Sequence, residues 1–323
     1  RYTMHEFDDC FDTTFLCVLA SAVGEDGVLM AEPMRDHTTF NIGGPADVMI
    51  LPRTRDEVVR VLDICLTGGV PCEIVGNGSD LLVGDRGLRG ACILLRDNYS
   101  DMTVAGNRIR AAAGALLRDV ALTAADAGLS GLEPLWGIPA TVGGACFMNA
   151  GAYDSCTANV LESVEVYVPG AKLEDGSRAS GQVRTVPIAE LGMGYRKSRI
   201  HDEGWIVLSS TFALTPDDPD MIRRAMDEYQ ARREEKQPLD MPSAGSTFKR
   251  PEGYFAGKLI MDAGLRGVRV GGAQVSEKHC GFVVNADHAS AADVCALIEH
   301  VQKQVKDQFG VDLEPEVRRI GEF

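Results

Sequence analysis

The chain has 323 residues, of which 45% are hydrophobic and 24% are charged, and its formal net charge is −15. This length allows two domains with cores of their own, and the composition is that of an ordinary globular protein. The acidic balance argues against a nucleic-acid partner, because binding nucleic acid requires a dense basic face.

The cysteines and histidines suggest neither a disulfide framework nor a metal site. The nine cysteines include no Cys-x-x-Cys pair, and the six histidines lack metal-binding spacing. We therefore expect reduced thiols and no structural metal. The apolar run 15–23 is too short to span a bilayer, and it follows Asp8, Asp9 and Asp12 where a signal peptide would be basic. We predict a first helix here, and a cytoplasmic protein without membrane insertion.

The next elements alternate between strand and helix. Val48–Leu51 is a short apolar run, and Thr54 with Glu57 three residues later is the pattern of a helix capping box. The helix should end at Gly68-Gly69, and Glu73–Val75 is a predicted strand that leads into a glycine loop. This β-α-β order is typical of an α/β domain.

The rest of the chain continues the mixture. Strands are predicted at 93–95, 108–112, 164–168 and 205–208, and helices at 116–127 and 291–309. A further helix follows the acidic linker 216–219, with Met221, Ile222, Ala225, Met226 and Tyr229 on one face. The last helix has the apolar face Val294, Leu297, Ile298, Val301, Val305 and Phe309.

Two glycine-rich loops suggest a nucleotide cofactor. Residues 76–82 (GNGSDLL) follow a predicted strand, where successive amides can bind a pyrophosphate. The loop is not a Walker A motif, because it has no Gly-Lys-Ser/Thr, and it is not a dinucleotide fingerprint, because Leu81 occupies the third glycine position. Residues 137–153 form the second small-residue segment. A tight turn and a densely packed helix start are the alternatives for the two loops.

Residues 243–251 (SAGSTFKRP) place the Ser246 hydroxyl after a glycine and shortly before two cations, Lys249 and Arg250. Residues 241–270 carry five bases and two acids, whereas residues 215–240 carry eight acids and five bases. A locally positive segment of an acidic protein suits a small anionic ligand held beside a proton donor. The alternative is a surface turn with solvated charges.

Seven segments share their order and spacing with one protein family. They are 39–46 (TFNIGGPA), 76–82, 137–153, 194–198 (GYRKS), 243–251, 275–279 (VSEKH) and 313–318 (LEPEVR). Together they resemble the UDP-N-acetylenolpyruvoylglucosamine reductase family of flavoenzymes, from about His37 to Gly321. The compact form of the family is the nearer match, since no tyrosine-bearing insertion follows Tyr195-Arg196.

The resemblance implies an α+β protein. Its FAD-binding region would have two α/β subdomains of the PCMH-type flavin fold, and its C-terminal α+β domain would bind the substrate. We expect a lead-in at 1–36, the FAD-binding region at 37–214 (subdomains 37–96 and 97–214) and the substrate domain at 215–323. The cofactor would be FAD, the hydride donor NADPH and the substrate UDP-N-acetylglucosamine enolpyruvate, bound by a monomer.

The resemblance also assigns site residues. The catalytic residues would be Arg196, Ser246 and Glu316, and the substrate-binding residues Tyr195, Lys249, Arg250 and His279. The FAD-binding residues would be Asn41, Ile42, Gly43, Gly76, Asn77, Gly78, Ser79, Asp80, Leu81, Gly137, Thr141, Gly143 and Gly144.

The reaction that the resemblance implies suits these residue types. Hydride addition to an enolpyruvyl ether produces an enolate, which an always-cationic Arg196 can stabilise. Ser246 would then donate a proton to carbon, with Lys249 or a water supporting the alkoxide. Glu316 helps an enolate only if it is protonated, and its alternative is an ion pair with Arg318 or Arg319. Another FAD-linked oxidoreductase and a non-catalytic flavin-binding scaffold are the competing functions.

Overall fold

The computed structural model describes residues 12–323, so Asp8 and Asp9 lie outside the described residues. The helices are α1 Thr13–Val23, α2 Arg55–Thr67, α3 Leu117–Asp126, α4 Val142–Met148, α5 Arg199–Glu203, α6 Pro219–Lys236, α7 Ala256–Asp262 and α8 Ala291–Phe309. The strands are β1 Val28–Pro33, β2 Pro45–Ile50, β3 Cys72–Val75, β4 Leu81–Val83, β5 Leu88–Leu94, β6 Met102–Ala105, β7 Arg108–Ala112, β8 Leu129–Ser130, β9 Gly151–Ala152, β10 Ser155–Cys156, β11 Leu161–Val168, β12 Gln182–Pro187, β13 Ile206–Ala213, β14 Thr215–Pro216, β15 Arg269–Val270, β16 Ala273–Val275, β17 Val283–Asn285 and β18 Arg318–Ile320. This mixture of helices and strands confirms the predicted α and β content.

The strands form two larger sheets and several small ones. A four-stranded sheet has the order β1-β2-β5-β3, in which β3 and β5 are parallel. An antiparallel five-stranded sheet has the order β12-β11-β13-β7-β6. The last part of the chain forms the antiparallel sheet β15-β16-β17, and β18 pairs in parallel with β4.

The chain divides into two compact units, and each has its own hydrophobic core. The first unit contains the described residues up to Met30, together with Val48–Asn77 and Gly90–Ala231. The second contains Ala31–Asp47, Gly78–Arg89 and Arg232–Phe323. Both units are therefore discontinuous in sequence, whereas the domains expected above are continuous; those boundaries stay a prediction.

The capping pattern at Thr54 marks the true start of α2. The Thr54 hydroxyl accepts a hydrogen bond from the Glu57 amide at 3.2 Å, which satisfies one of the free amides of the first turn. The Glu57 carboxylate accepts from the Arg53 amide at 2.7 Å. In a complete capping box it would accept from the Thr54 amide, which is the next residue.

The apolar faces predicted for the last two long helices are correct in part. Ile222 and Met226 of α6 are buried, but Met221 is exposed, so the predicted face is buried only in part. In α8 the predicted residues from Val294 to Val305 are all buried. Phe309 is exposed, because it is the last residue of the helix and lies beyond the core.

One carboxylate of the first unit lies at the centre of a polar network on the five-stranded sheet. Glu165 accepts hydrogen bonds from Arg55 at 2.7 Å, Arg110 at 2.8 Å and Ser209 at 3.0 Å. Partial burial alone would raise the pKa of Glu165, but the hydrogen bonds from Arg55 and Ser209, together with the positive charges of Arg55 and Arg110, lower it overall. The network therefore stabilises the ionised form.

Candidate active site

The first glycine loop begins in the first unit and packs against the segment before α4. A Cβ atom on Gly76 would lie 2.3 Å from the Thr141 hydroxyl oxygen, so only glycine fits there. The Asn77 side chain donates a hydrogen bond to the Pro139 carbonyl at 2.6 Å. Thr141, in turn, is the N-cap of α4. Two segments that the sequence suggested separately are thus brought together.

The remainder of this loop lies in the second unit beside residues 37–43. Gly78 has a φ of +60°, and a Cβ there would lie 2.4 Å from the His37 carbonyl oxygen. The Thr39 amide donates to the Gly78 carbonyl at 3.4 Å. Asn41, with a φ of +53°, and Gly43, with a φ of +142°, shape the neighbouring turn.

Two of the predicted FAD-binding residues have buried side chains. Ile42 and Leu81 are buried, and Leu81 pairs with Arg318 in the β4–β18 ladder. Their side chains serve packing, so only their backbones are available to a ligand. Ser79 and Asp80 remain partly exposed at the end of the loop.

The start of α4 is a packed helix start, and its amides are already used. The Val142 and Gly143 amides donate to the Ala115 and Ala113 carbonyls at 2.8 Å each, and the Gly144 amide donates to the Thr141 hydroxyl at 3.4 Å. A Cβ on Gly143 would lie 3.2 Å from Ala113. Gly143 therefore permits close packing, whereas Gly144 is exposed and Gly137 is half-buried.

Arg196 lies in the first unit, on a tight turn with an unusual backbone. The Gly194 amide donates to the Lys197 carbonyl at 2.9 Å, and the Lys197 amide donates back at 3.3 Å. Arg196 is the third residue of this turn and has a φ of +51°, where glycine is the usual choice. An L-residue in this region costs about 1–2 kcal/mol, and such costs concentrate at functional sites. Tyr195 is 63% exposed, with the Arg196 guanidinium 5.2 Å from its ring centre.

Ser246 and Glu316 lie together in the second unit, although 70 positions separate them in the sequence. The Glu316 amide donates to the Thr247 carbonyl at 2.8 Å, and the Lys249 amide donates to the Glu314 carbonyl at 2.9 Å. This antiparallel pairing brings Ser246 and Glu316 onto adjacent backbones. Ser246 is exposed and Glu316 is half-buried.

Thr247 fixes this arrangement, and no pattern in the sequence singles it out. It is 3% exposed, its amide donates to the Gly281 carbonyl at 2.9 Å, and its hydroxyl accepts from the Val283 amide at 2.9 Å. Three separate segments are therefore joined at the residue next to Ser246.

The predicted substrate-binding residues of the second unit already have partners. Lys249 pairs with Glu314, so it does not lie as an isolated cation beside Ser246. The Arg250 guanidinium lies 4.1 Å from the centre of the Phe255 ring. His279 accepts a hydrogen bond at Nδ1 from the Gly281 amide at 3.1 Å, and burial lowers its pKa, so it is neutral at pH 7.

The glycine loop that follows β3 fits a bound FAD. Within residues 12–323, the backbone amides of Asn77, Gly78 and Ser79 donate no hydrogen bond. Consecutive free amides after a strand are a suitable donor set for a diphosphate. The same part of the chain contains no group of three His, Cys, Asp or Glu residues that could hold a metal ion. None of its helices is long and apolar enough to cross a membrane.

Comparisons with known proteins agree with FAD as the cofactor. Residues 46–176 match a family model described as an FAD binding domain. Residues 237–320 match one described as the UDP-N-acetylenolpyruvoylglucosamine reductase C-terminal domain. The fold and these matches define a flavoprotein of the α+β class, which confirms the predicted fold class and FAD as the cofactor.

Full-length relatives identify the family. The UDP-N-acetylenolpyruvoylglucosamine reductase of Agathobacter rectalis is 49% identical, over 96% of this chain and 99% of its own. That of Clostridium beijerinckii is 48% identical, over 92% of this chain and 94% of its own. A crystal structure of the enzyme from Thermus caldophilus has a TM-score of 0.75 at 37% identity, covering 91% of this chain and 98% of that one. The chain belongs to the UDP-N-acetylenolpyruvoylglucosamine reductase family.

Proposed function

We propose that the protein uses NADPH to reduce UDP-N-acetylglucosamine enolpyruvate to UDP-N-acetylmuramate, a peptidoglycan precursor. Bound FAD supplies the hydride that the methylene carbon of the enolpyruvyl ether receives. Cell-wall biogenesis, and through it cell shape and division, would be the physiological role. Because NADPH and UDP-sugars are cytoplasmic metabolites, the protein would act in the cytoplasm.

In the proposed reaction, Arg196 would stabilise charge and Ser246 would transfer a proton. Hydride addition leaves an enolate on the substrate carboxyl group, which the Arg196 guanidinium would stabilise. The Ser246 hydroxyl would donate its proton to the carbon next to the carboxylate, which completes the reduction. The Glu316 carboxyl group would act at the same centre.

The proposal extends to the cofactor and substrate regions. The Asn77–Ser79 amides would bind the FAD diphosphate, and residues 37–214 would form the FAD-binding region. Residues 215–323 would bind the substrate, with Lys249 or Arg250 near its diphosphate. No dinucleotide fingerprint is present for NADPH, so we propose that the nicotinamide and the substrate occupy the same cavity in turn.

The observation that carries this proposal is the hydrogen bond from the Glu316 amide to the Thr247 carbonyl at 2.8 Å. It supports the proposal because it joins the backbone of Glu316 to that of Thr247, the residue next to Ser246, and general acid catalysis needs such groups near one bound substrate.

Separate measurement of the two half-reactions tests the proposal. In anaerobic stopped flow, S246A should keep the rate of flavin bleaching by NADPH. Its flavin reoxidation by the enolpyruvyl substrate should fall by about 10²–10⁴-fold, the usual contribution of a general acid. S180A, which removes an exposed hydroxyl of the first unit, is the matched control and should behave as wild type. Equal rates for S246A and wild type in both half-reactions would refute the role of Ser246.

A further inference from the structure

The unusual backbone of Arg196 requires support from the surrounding structure. A non-glycine residue with positive φ persists only where its neighbours hold it in place. The two hydrogen bonds that close the turn, between Gly194 and Lys197, are local and partly exposed. The stronger restraints come from the end of α4.

Asn149 restrains the first residue of the turn. It is the C-cap of α4, has a φ of 45° and a ψ of 56°, and is 6% exposed. Its side-chain amide donates to the Gly194 carbonyl at 2.9 Å, and its side-chain oxygen accepts from the Ala158 amide at 3.0 Å. Both ends of the carboxamide are therefore used.

Ser198 restrains the other side of the turn. It is fully buried, and its hydroxyl donates to the Phe147 carbonyl at 2.6 Å while accepting from the His201 amide at 3.1 Å. The turn that carries Arg196 is thus attached to the last residues of α4 on both sides.

The residue type at position 149 indicates that its side chain matters. Glycine is the commonest residue at a left-handed helix end, because it has no Cβ, and asparagine is the less frequent choice. Here asparagine satisfies one donor and one acceptor of other segments, which glycine could not do and aspartate could do only in part.

We propose that Asn149 is a positioning residue for the proposed reaction: its side-chain amide holds the Gly194–Lys197 turn so that the Arg196 guanidinium meets the enolate. This inference rests on the function proposed above. A displacement of about 1 Å at a charged catalytic group can lower a rate by as much as 10²-fold. Loss of this bond should therefore slow substrate reduction and spare flavin reduction by NADPH.

The variant N149D removes the donor and keeps both the side-chain shape and the acceptor for Ala158. We expect flavin reoxidation by the substrate to slow about tenfold or more, while the rate of bleaching by NADPH stays within a factor of two. N107D is the matched control: the Asn107 side chain also donates to a backbone carbonyl of the first unit, that of Leu214 at 3.1 Å, but at the β6–β7 hairpin. Hydrogen exchange of the Lys197 amide should accelerate in N149D and not in N107D.

A double-mutant cycle separates positioning from general destabilisation. If Asn149 acts through Arg196, the loss caused by N149D in an R196K background should be much smaller than in the wild type. Equal losses in the two backgrounds, or slowed bleaching by NADPH, would overturn the inference. N149G, which retains the left-handed backbone, provides a second variant if N149D does not fold. A wild-type flavin that the substrate does not reoxidise would instead refute the proposed function itself.

Discussion

Replacement of Thr247 by valine tests whether this buried residue organises the segment that carries Ser246. The substitution keeps the branched shape and removes only the hydroxyl group, which accepts the Val283 amide at 2.9 Å. Val283 is 2% exposed, so water cannot replace the lost acceptor. An unsatisfied buried amide costs about 1–3 kcal/mol. T247S retains the hydroxyl and loses one methyl group, which costs about 1 kcal/mol.

The most direct assay is hydrogen exchange of the Val283 amide. Since 1.4 kcal/mol corresponds to a factor of ten, T247V should accelerate this exchange roughly 5- to 150-fold relative to the Leu297 amide in α8. T247S should leave the ratio of the two exchange rates near the wild-type value. Because Thr247 is adjacent to Ser246, T247V should also slow flavin reoxidation by the substrate.

The comparison of the two variants decides the outcome. If Val283 in T247V exchanges at the wild-type rate, the hydroxyl does not restrain this segment. If T247S accelerates Val283 as much as T247V does, methyl packing and not the hydrogen bond is responsible. Either result would refute the reasoning.

Three further predictions concern the first unit. G76A places a methyl group 2.3 Å from the Thr141 hydroxyl, so the purified variant should contain less FAD per chain by absorbance and melt at a lower temperature; full FAD content would contradict this. Because the folded-state pKa of Glu165 is lowered, its contribution to stability is present at neutral pH and lost as the pH falls below about 4, near the unfolded value. The unfolding free energies of wild type and E165Q should therefore converge in acid, and a constant difference would argue against the network. Burial raises the pKa of the Cys146 thiol to about 12. Brief alkylation at pH 7.5, measured by mass spectrometry, should therefore label the exposed Cys17 before Cys146.

The local parts of the fold are predictable from the sequence because their signals are local. Thr54 and the glycines after residue 67 set the ends of α2 through hydrogen bonds within a few residues. The period of apolar residues gives α8 its bounds for the same reason, since each buried side chain lies one turn from the next. The glycine loop after β3 is equally local. Its position after a strand predicts a diphosphate site.

The arrangement of the site depends on tertiary contacts that no local pattern encodes. The pairing of residues 247–249 with 314–316 joins segments separated by most of the second unit. The bond from Asn149 to Gly194 spans 45 positions, and that from Val283 to Thr247 spans 36. The sequence cannot reveal such bonds, because a threonine or asparagine has the same local pattern whether it caps a helix, lies at the surface or links two distant segments.

The sequence by itself therefore determined the residue types available for the proposed chemistry: a cation at 196, a hydroxyl at 246 and a carboxyl group at 316. Only the tertiary structure decided which residues hold them. It showed that Lys249 is paired with Glu314, that the amides of the α4 start are used internally, and that Arg196 lies on a left-handed turn tied to Asn149. The physical reason is that hydrogen bonds between distant segments form only after the backbone has brought donor and acceptor within about 3 Å.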